Sequence, residues 1–181
     1  MKKTFFFCPN PKKNIGFGYC PRPHDHVSYY SQVVLNGHCE IPEPKPDCET
    51  LIDKYHSIEI LKSETIDAIQ YLDCHRVQGK KVVITGNFKL GIEYSANEPS
   101  QKVHYFECII PFSAFILPCI DNQEFLFPQD FVLDEYVVHV CMEDLQLDRI
   151  SDRLFNKVIV LMIWLQQKND IPEGGKDCEF Y

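Results

Sequence analysis

The sequence predicts a mainly β protein: an antiparallel β-sandwich or open barrel with at most one short helix, preceded by an extended N-terminal arm. Three observations predict it. From Lys80 to Tyr94 the chain alternates, with Val82, Ile84, Phe88, Leu90, Ile92 and Tyr94 on one parity and Val83, Thr85, Asn87, Lys89 and Glu93 on the other. A period of two marks a strand with one face in a core and the other in water. The turn-rich ANEPSQ, Ala96–Gln101, then leads into a second β-prone run, KVHYFECIIPF, so the two arms read as a hairpin. Finally, VIVLMIWL, Val158–Leu165, is apolar on both parities, as expected of a central strand covered on both faces.

The remaining elements follow in chain order. Residues 1–27 form the arm, because Pro9, Pro11, Pro21 and Pro23 without periodicity argue against helix or central strand. It carries Phe5, Phe6, Phe7, Phe17 and Tyr19 beside Cys8 and Cys20. Such an arm can pack on its own domain or add a strand to an exposed edge of a neighbouring subunit, which makes these five aromatics candidate subunit contacts. Val27–Leu35 reads as a first strand that ends at Asn36–Gly37. Pro42, Pro44 and Pro46 impose an extended path, and Pro46–Asp47 suits the start of one short helix through Leu51 and Ile52. Ser57–Ile69 reads as strand and Gln70–Gly79 as a polar loop holding Cys74–His75. After the hairpin come a proline-containing connection, Leu117–Asp130, a strand over Tyr136–Leu147 and a turn at Ser151–Arg153. The expected organisation is the arm, a single β domain over 28–168, and a polar tail over 169–181 that ends in Cys178-Glu-Phe-Tyr.

A chain of 181 residues with 45% apolar content can bury a substantial core as one domain. Net charge is −8, which argues against nucleic acid as a partner, since phosphate binding needs clustered Lys and Arg. MKKTFFFC lacks the apolar length of a secretion signal, and Val158–Leu165 is too short to insert into a membrane as a helix. Synthesis in a cytosol is therefore expected, and there the nine cysteines have no intramolecular disulfide role. Nine is odd, so at least one must stay free, bind something or pair with another chain.

Chemistry-bearing motifs are sparse. Cys20, His24 and His26 are closely spaced, yet the paired Cys-x2–4-Cys spacing of structural zinc is missing, so no metal or other cofactor is expected and that trio stands as the alternative ligand set. There is no nucleophile elbow, phosphate loop or zinc-protease motif, which points away from an enzyme.

Two stretches carry a family resemblance: CEIPEPKPDCETLIDKYHSIEI, Cys39–Ile60, and YSANEPSQKVHYFECIIPFSAFI, Tyr94–Ile116. The pattern of an IPEPKPD segment (Ile41–Asp47), a Glu-Pro-Ser-Gln loop (Glu98–Gln101) and a Pro-Phe-Ser strand (Pro111–Ser113) resembles the SPOCS domain, the spore-coat-associated domain of endospore-forming Clostridia, over roughly Gly37–Gln167. The resemblance implies a non-catalytic structural protein, synthesised in the mother-cell cytoplasm and laid down on the spore surface in the coat or exosporium. Its expected partners are itself, as a homo-oligomer or polymer, and other coat or exosporium proteins. In that context the cysteines suit interchain cross-links formed after synthesis. Cys8, Cys20 and Cys178, in the arm and tail, are the foremost candidates, followed by Cys39, Cys48, Cys74 and Cys119 in loops, whereas Cys108 and Cys141 lie in strands as small hydrophobes. Two alternatives remain: a monomeric SPOCS adaptor for another coat morphogenetic protein, and a Cys/His metal-binding protein.

Overall fold

The computed structural model describes residues 15–17, 27, 29–72, 75–96, 102–120 and 123–170. Two sheets pack face to face. One contains β1 (Ile15–Phe17), β8 (Tyr136–Arg149), β9 (Leu154–Gln167) and β2 (Tyr29–Glu40), in that order across the sheet. The other contains β3 (Thr50–Leu72), β4 (His75–Ser95) and β5 (Val103–Ile116) in sequence order. A two-stranded ribbon of β6 (Cys119–Ile120) and β7 (Gln123–Glu124) follows β5. All ladders are antiparallel except that of β1 with β8. The fold is thus β-sandwich-like, as the alternation predicts.

The predicted hairpin forms the middle of the second sheet. Val82, Ile84, Phe88, Leu90, Ile92 and Tyr94 have no exposed surface, and β5 answers with buried Phe106, Ile110, Phe112, Ala114 and Ile116. Val138 and Val140 of β8 and Ile159, Leu161, Ile163 and Leu165 of β9 close the same core from the facing sheet. Each such side chain contributes roughly 1.5–3 kcal/mol on burial, before conformational entropy is subtracted. β9 lies between β8 and β2, the central position that its two-sided apolar pattern predicts.

Gly86 keeps the core's parity but bears no side chain. A Cβ there would collide with the Glu59 backbone carbonyl and come 2.6 Å from Cζ of Phe112, so the β3 backbone and the ring of β5 occupy the space the glycine leaves on β4. Directly opposite Gly86, β3 carries a bulge between Ile60 and Lys62.

Several local expectations are corrected. β2 does not end at Asn36–Gly37; it continues to Glu40, with Gly37 at φ 142°, a left-handed backbone available to glycine. Pro46–Ile52 forms no helix: β3 begins at Thr50, and the described helical turns are the short 3-10 segments Leu133–Glu135 and Lys168–Asp170. The polar stretch Gln70–Gly79 is mostly strand, because β3 and β4 extend as a long hairpin to the pair Leu72–His75. Phe127 holds the base of this extension through reciprocal backbone hydrogen bonds with Lys80, at 2.8 and 2.9 Å. No helix among the described residues is long and apolar enough to cross a membrane.

Candidate functional site

The two sheets are fastened along one side by Cys39 of β2 and Cys108 of β5. These form a disulfide with a Cα–Cα distance of 6.0 Å and a sequence separation of 69. Both residues point inward: Cys39 lies opposite the buried Phe155, and Cys108 opposite the buried Leu90. The bond therefore crosses the sandwich from one inner face to the other. This corrects two expectations together, since Cys39 is not an available cross-linking thiol and Cys108 is not a free buried hydrophobe. The parity that turns Phe106 and Ile110 inward also turns Cys108 inward, and that was the signal in the sequence.

The other cysteines divide by environment. Cys48 is free but buried, and burial raises its thiol pKa above the usual value, opposed by the nearby Arg149 charge. A buried, protonated thiol is poorly placed for exchange with another chain, which corrects its rank among the cross-link candidates. Cys119 of β6 is free and exposed. Cys141 is buried and disulfide-bonded, not the free small hydrophobe expected. Cys8, Cys20, Cys74 and Cys178 lie outside the described residues, as do Phe5, Phe6, Phe7, Tyr19, His24 and His26. Phe17 ends β1, which pairs with β8 of its own chain.

A second constellation secures the IPEPKPD segment. Its three prolines have no N–H to donate, and the segment lies outside the strands, between β2 and β3. Side chains from elsewhere donate instead. Arg153, at the β8–β9 turn, donates to the carbonyls of Ile41 and Lys45, each at 2.9 Å, and to Asp47 Oδ1 at 2.8 Å. Its guanidinium also lies 3.3 Å from Glu43 Oε1. Tyr94 Oη donates to the Pro46 carbonyl at 2.9 Å. Arg149 Nη1 donates to the Glu49 carbonyl at 2.7 Å, and its Nη2 bonds the Cys48 carbonyl and Asp152. The hydrogen bond to Asp47 raises the Arg153 pKa further above its normal value. The prolines suggested an extended path, whereas the segment turns at Glu43–Pro44, with the Lys45 N–H on the Pro42 carbonyl, and nothing in the sequence named the two arginines that hold it.

On the outward parity of the four-stranded sheet, His139 is buried and stacks on Trp164 with ring centroids 4.2 Å apart. Its Nε2 bonds Gln166 Oε1 at 2.9 Å. Burial lowers its pKa to about 4, against a smaller upward effect of the Gln166 bond, so the ring is neutral at ordinary pH. Lys157 is also buried, donating from Nζ to the His38 carbonyl at 2.8 Å.

An open cleft of about 360 Å³ lies between β2 and β5, lined by Ser31, Lys81, Ser113, Phe115 and Glu124 among others. Neither histidine nor cysteine lines it. Among the described residues no group of three His, Cys, Asp or Glu is disposed to hold a metal ion. The chemistry these residues offer is cross-linking and backbone capture.

Comparison with known proteins returns one family. Residues 47–122 match the family model described as SipL, SPOCS domain. No curated protein and no solved structure matches. The matched span is narrower than the resemblance drawn from the motifs: it starts at Asp47, at the end of the IPEPKPD segment, and stops after the two-residue strand β6. It includes Glu98–Gln101 and Pro111–Ser113. Residues 47–122, which build the entire three-stranded sheet, are similar to the SPOCS domain, and that similarity suggests a sporulation-related role.

Proposed function

We infer that the chain is a structural protein of the spore coat or exosporium that self-assembles into an ordered, disulfide-cross-linked polymer. The observation that carries this reading is the SPOCS domain, since it ties the chain to sporulation. The nine cysteines support the cross-linking part of it. Cys39 and Cys108 satisfy each other within the chain, Cys48 is buried, and Cys119 presents a free thiol at the surface. With an odd total, pairing inside one chain cannot consume every thiol. The internal disulfide stiffens the subunit, and bonds through Cys119 and the cysteines of the arm and tail would join subunits. Its partners on this reading are other copies of itself and neighbouring coat or exosporium proteins, with no catalytic step.

The test is purification of the full chain with and without reductant, followed by denaturing gels and electron microscopy. A high-mass ladder that collapses on reduction, with layers, arrays or fibres in the unreduced sample, supports the reading. A strict monomer under both conditions selects the adaptor alternative, in which the same domain binds one coat partner.

A further inference from the structure

The longest strand of the protein is also an edge. β3 has 23 residues and, among the described residues, pairs with β4 alone. Free edges invite pairing with another chain, and proteins usually guard them with charges and bulges. β3 has both, with Lys54, Glu59, Lys62, Glu64 and Asp67 along its length and bulges between Leu51 and Asp53 and between Ile60 and Lys62. It also exposes a good deal of apolar surface: Tyr55 is 50% exposed, Leu61 59%, Ile66 39% and Ile69 50%.

The order of the charges decides what this edge accepts. Laid antiparallel against its own copy, about an axis between Ile60 and Leu61, the strand places Glu59 opposite Lys62, Lys54 opposite Asp67, and Tyr55 opposite Ile66. Twofold symmetry makes each pair twice. In a regular strand this register fails, because Glu59 and Lys62 would project from opposite faces, and a twofold axis normal to the sheet keeps every residue on its own face.

The bulge removes that conflict. Glu59 lies opposite Asn87 and Lys62 opposite Thr85, so both share the outward parity of β4. Tyr55, opposite Gly91, and Ile66, opposite Lys81, share it too. Lys54, opposite Ile92, and Asp67, opposite Lys80, share the inward parity. A feature that ordinarily blocks edge pairing here brings the charge pattern into self-register.

Neighbouring charges reinforce the arrangement. Lys89 is 3.2 Å from Glu59, and Glu64 is 2.7 Å from Lys62, so Lys62 of a second copy would enter an existing row of alternating charge. Lys54 donates to the Leu145 carbonyl at 3.1 Å, and an ammonium with three donors can still meet a carboxylate of the second copy.

We propose that β3 is a homodimerisation edge: two copies join by antiparallel β3–β3 pairing about a twofold axis between Ile60 and Leu61, merging their three-stranded sheets into one. This interface rests on the self-assembly reading and is distinct from its disulfides, so it persists in reductant.

The test is sedimentation of the full chain in reductant, as wild type, as Glu59→Lys and as Lys62→Glu, with circular dichroism as a check of folding. Wild type is expected to form dimers. Each variant alone faces like charges across the axis twice and should dimerise about tenfold more weakly, or less tightly still. An equimolar mixture of the two variants restores Lys–Glu contacts at both positions, and dimerisation should return. Dimers in both variants as strong as in wild type would overturn the register, as would a mixture no tighter than its components. Monomeric wild type in reductant, with a disulfide ladder in its absence, would overturn this interface and leave self-assembly standing. A monomer under both conditions would overturn both.

Discussion

Removing the Cys39–Cys108 bond should loosen the sandwich substantially, and the size of the effect can be worked out. The bond closes a loop with a sequence separation of 69. In the chain-entropy account a closure of this length withholds about 15 cal/mol/K from the unfolded ensemble, or about 4 kcal/mol at 25 °C. For a chain of 181 residues, 1 kcal/mol moves the melting midpoint by roughly 2–4 °C, so the double variant Cys39→Ser/Cys108→Ser should melt about 8–16 °C lower. The serines add a smaller cost, because position 39 is buried and a hydroxyl there needs a partner.

Reductant should bring wild type towards the variant. It cannot isolate this bond, because Cys141 is also disulfide-bonded and would be reduced with it. Thermal melts followed by circular dichroism measure the shift, and a non-reducing peptide map should recover Cys39 and Cys108 in one cross-linked species. Equal midpoints for wild type and the double variant, with both thiols alkylated in unreduced native protein, would refute the reasoning.

Three further outcomes follow from the geometry. His139 has a folded-state pKa of about 4 against an ordinary histidine value of 6.5, so the unfolded state binds the proton first as pH falls. Its contribution is complete above about pH 6.5 and declines towards pH 4, by about 3 kcal/mol in total, and the difference between wild type and His139→Gln in denaturant melts should follow that window. An unchanged pH profile in His139→Gln would contradict it. Arg153→Ala should free the carbonyls of Ile41 and Lys45, giving faster amide exchange across 41–49 while β4 keeps its protection, and uniform exchange in the two regions would argue against the latch. Gly86→Ala should cost about 1–3 kcal/mol by overpacking against the Glu59 backbone carbonyl and the Phe112 ring, and a neutral effect in denaturant melts would contradict that crowding.

The β4–β5 hairpin and the central place of β9 were legible because each depends on side-chain periodicity, which the sequence displays directly. The long hairpin extension was not: Gln70–Gly79 is polar, and its strands are held by pairing and by Phe127, a contact 47 residues away from Lys80 (127 − 80). Asn36–Gly37 looked like a strand end because glycine often marks one, yet Gly37 sits within β2 at φ 142°, paired with Lys157 of β9. The prolines at 42, 44 and 46 suggested an extended path and then a helix, whereas the chain turns at Glu43–Pro44, with the Lys45 N–H on the Pro42 carbonyl, and β3 begins where the helix was expected. Pairing of cysteines was the least legible part. A cytosolic setting argued against any internal disulfide, whereas Cys39 and Cys108 meet because their strands sit at the same side of two facing sheets, a relation that no local pattern encodes.

Assembly through disulfides between copies of this chain can be read at the level of single peptides. The most direct measurement is a non-reducing peptide map of the isolated unreduced assembly, made from an equal mixture of isotopically light and heavy chains. Light–heavy cross-linked peptides that contain Cys119 or one of Cys8, Cys20, Cys74 and Cys178 are expected, with Cys39–Cys108 found only within a single isotope. Disulfides confined to single chains throughout, from material that sediments as a monomer, would contradict it.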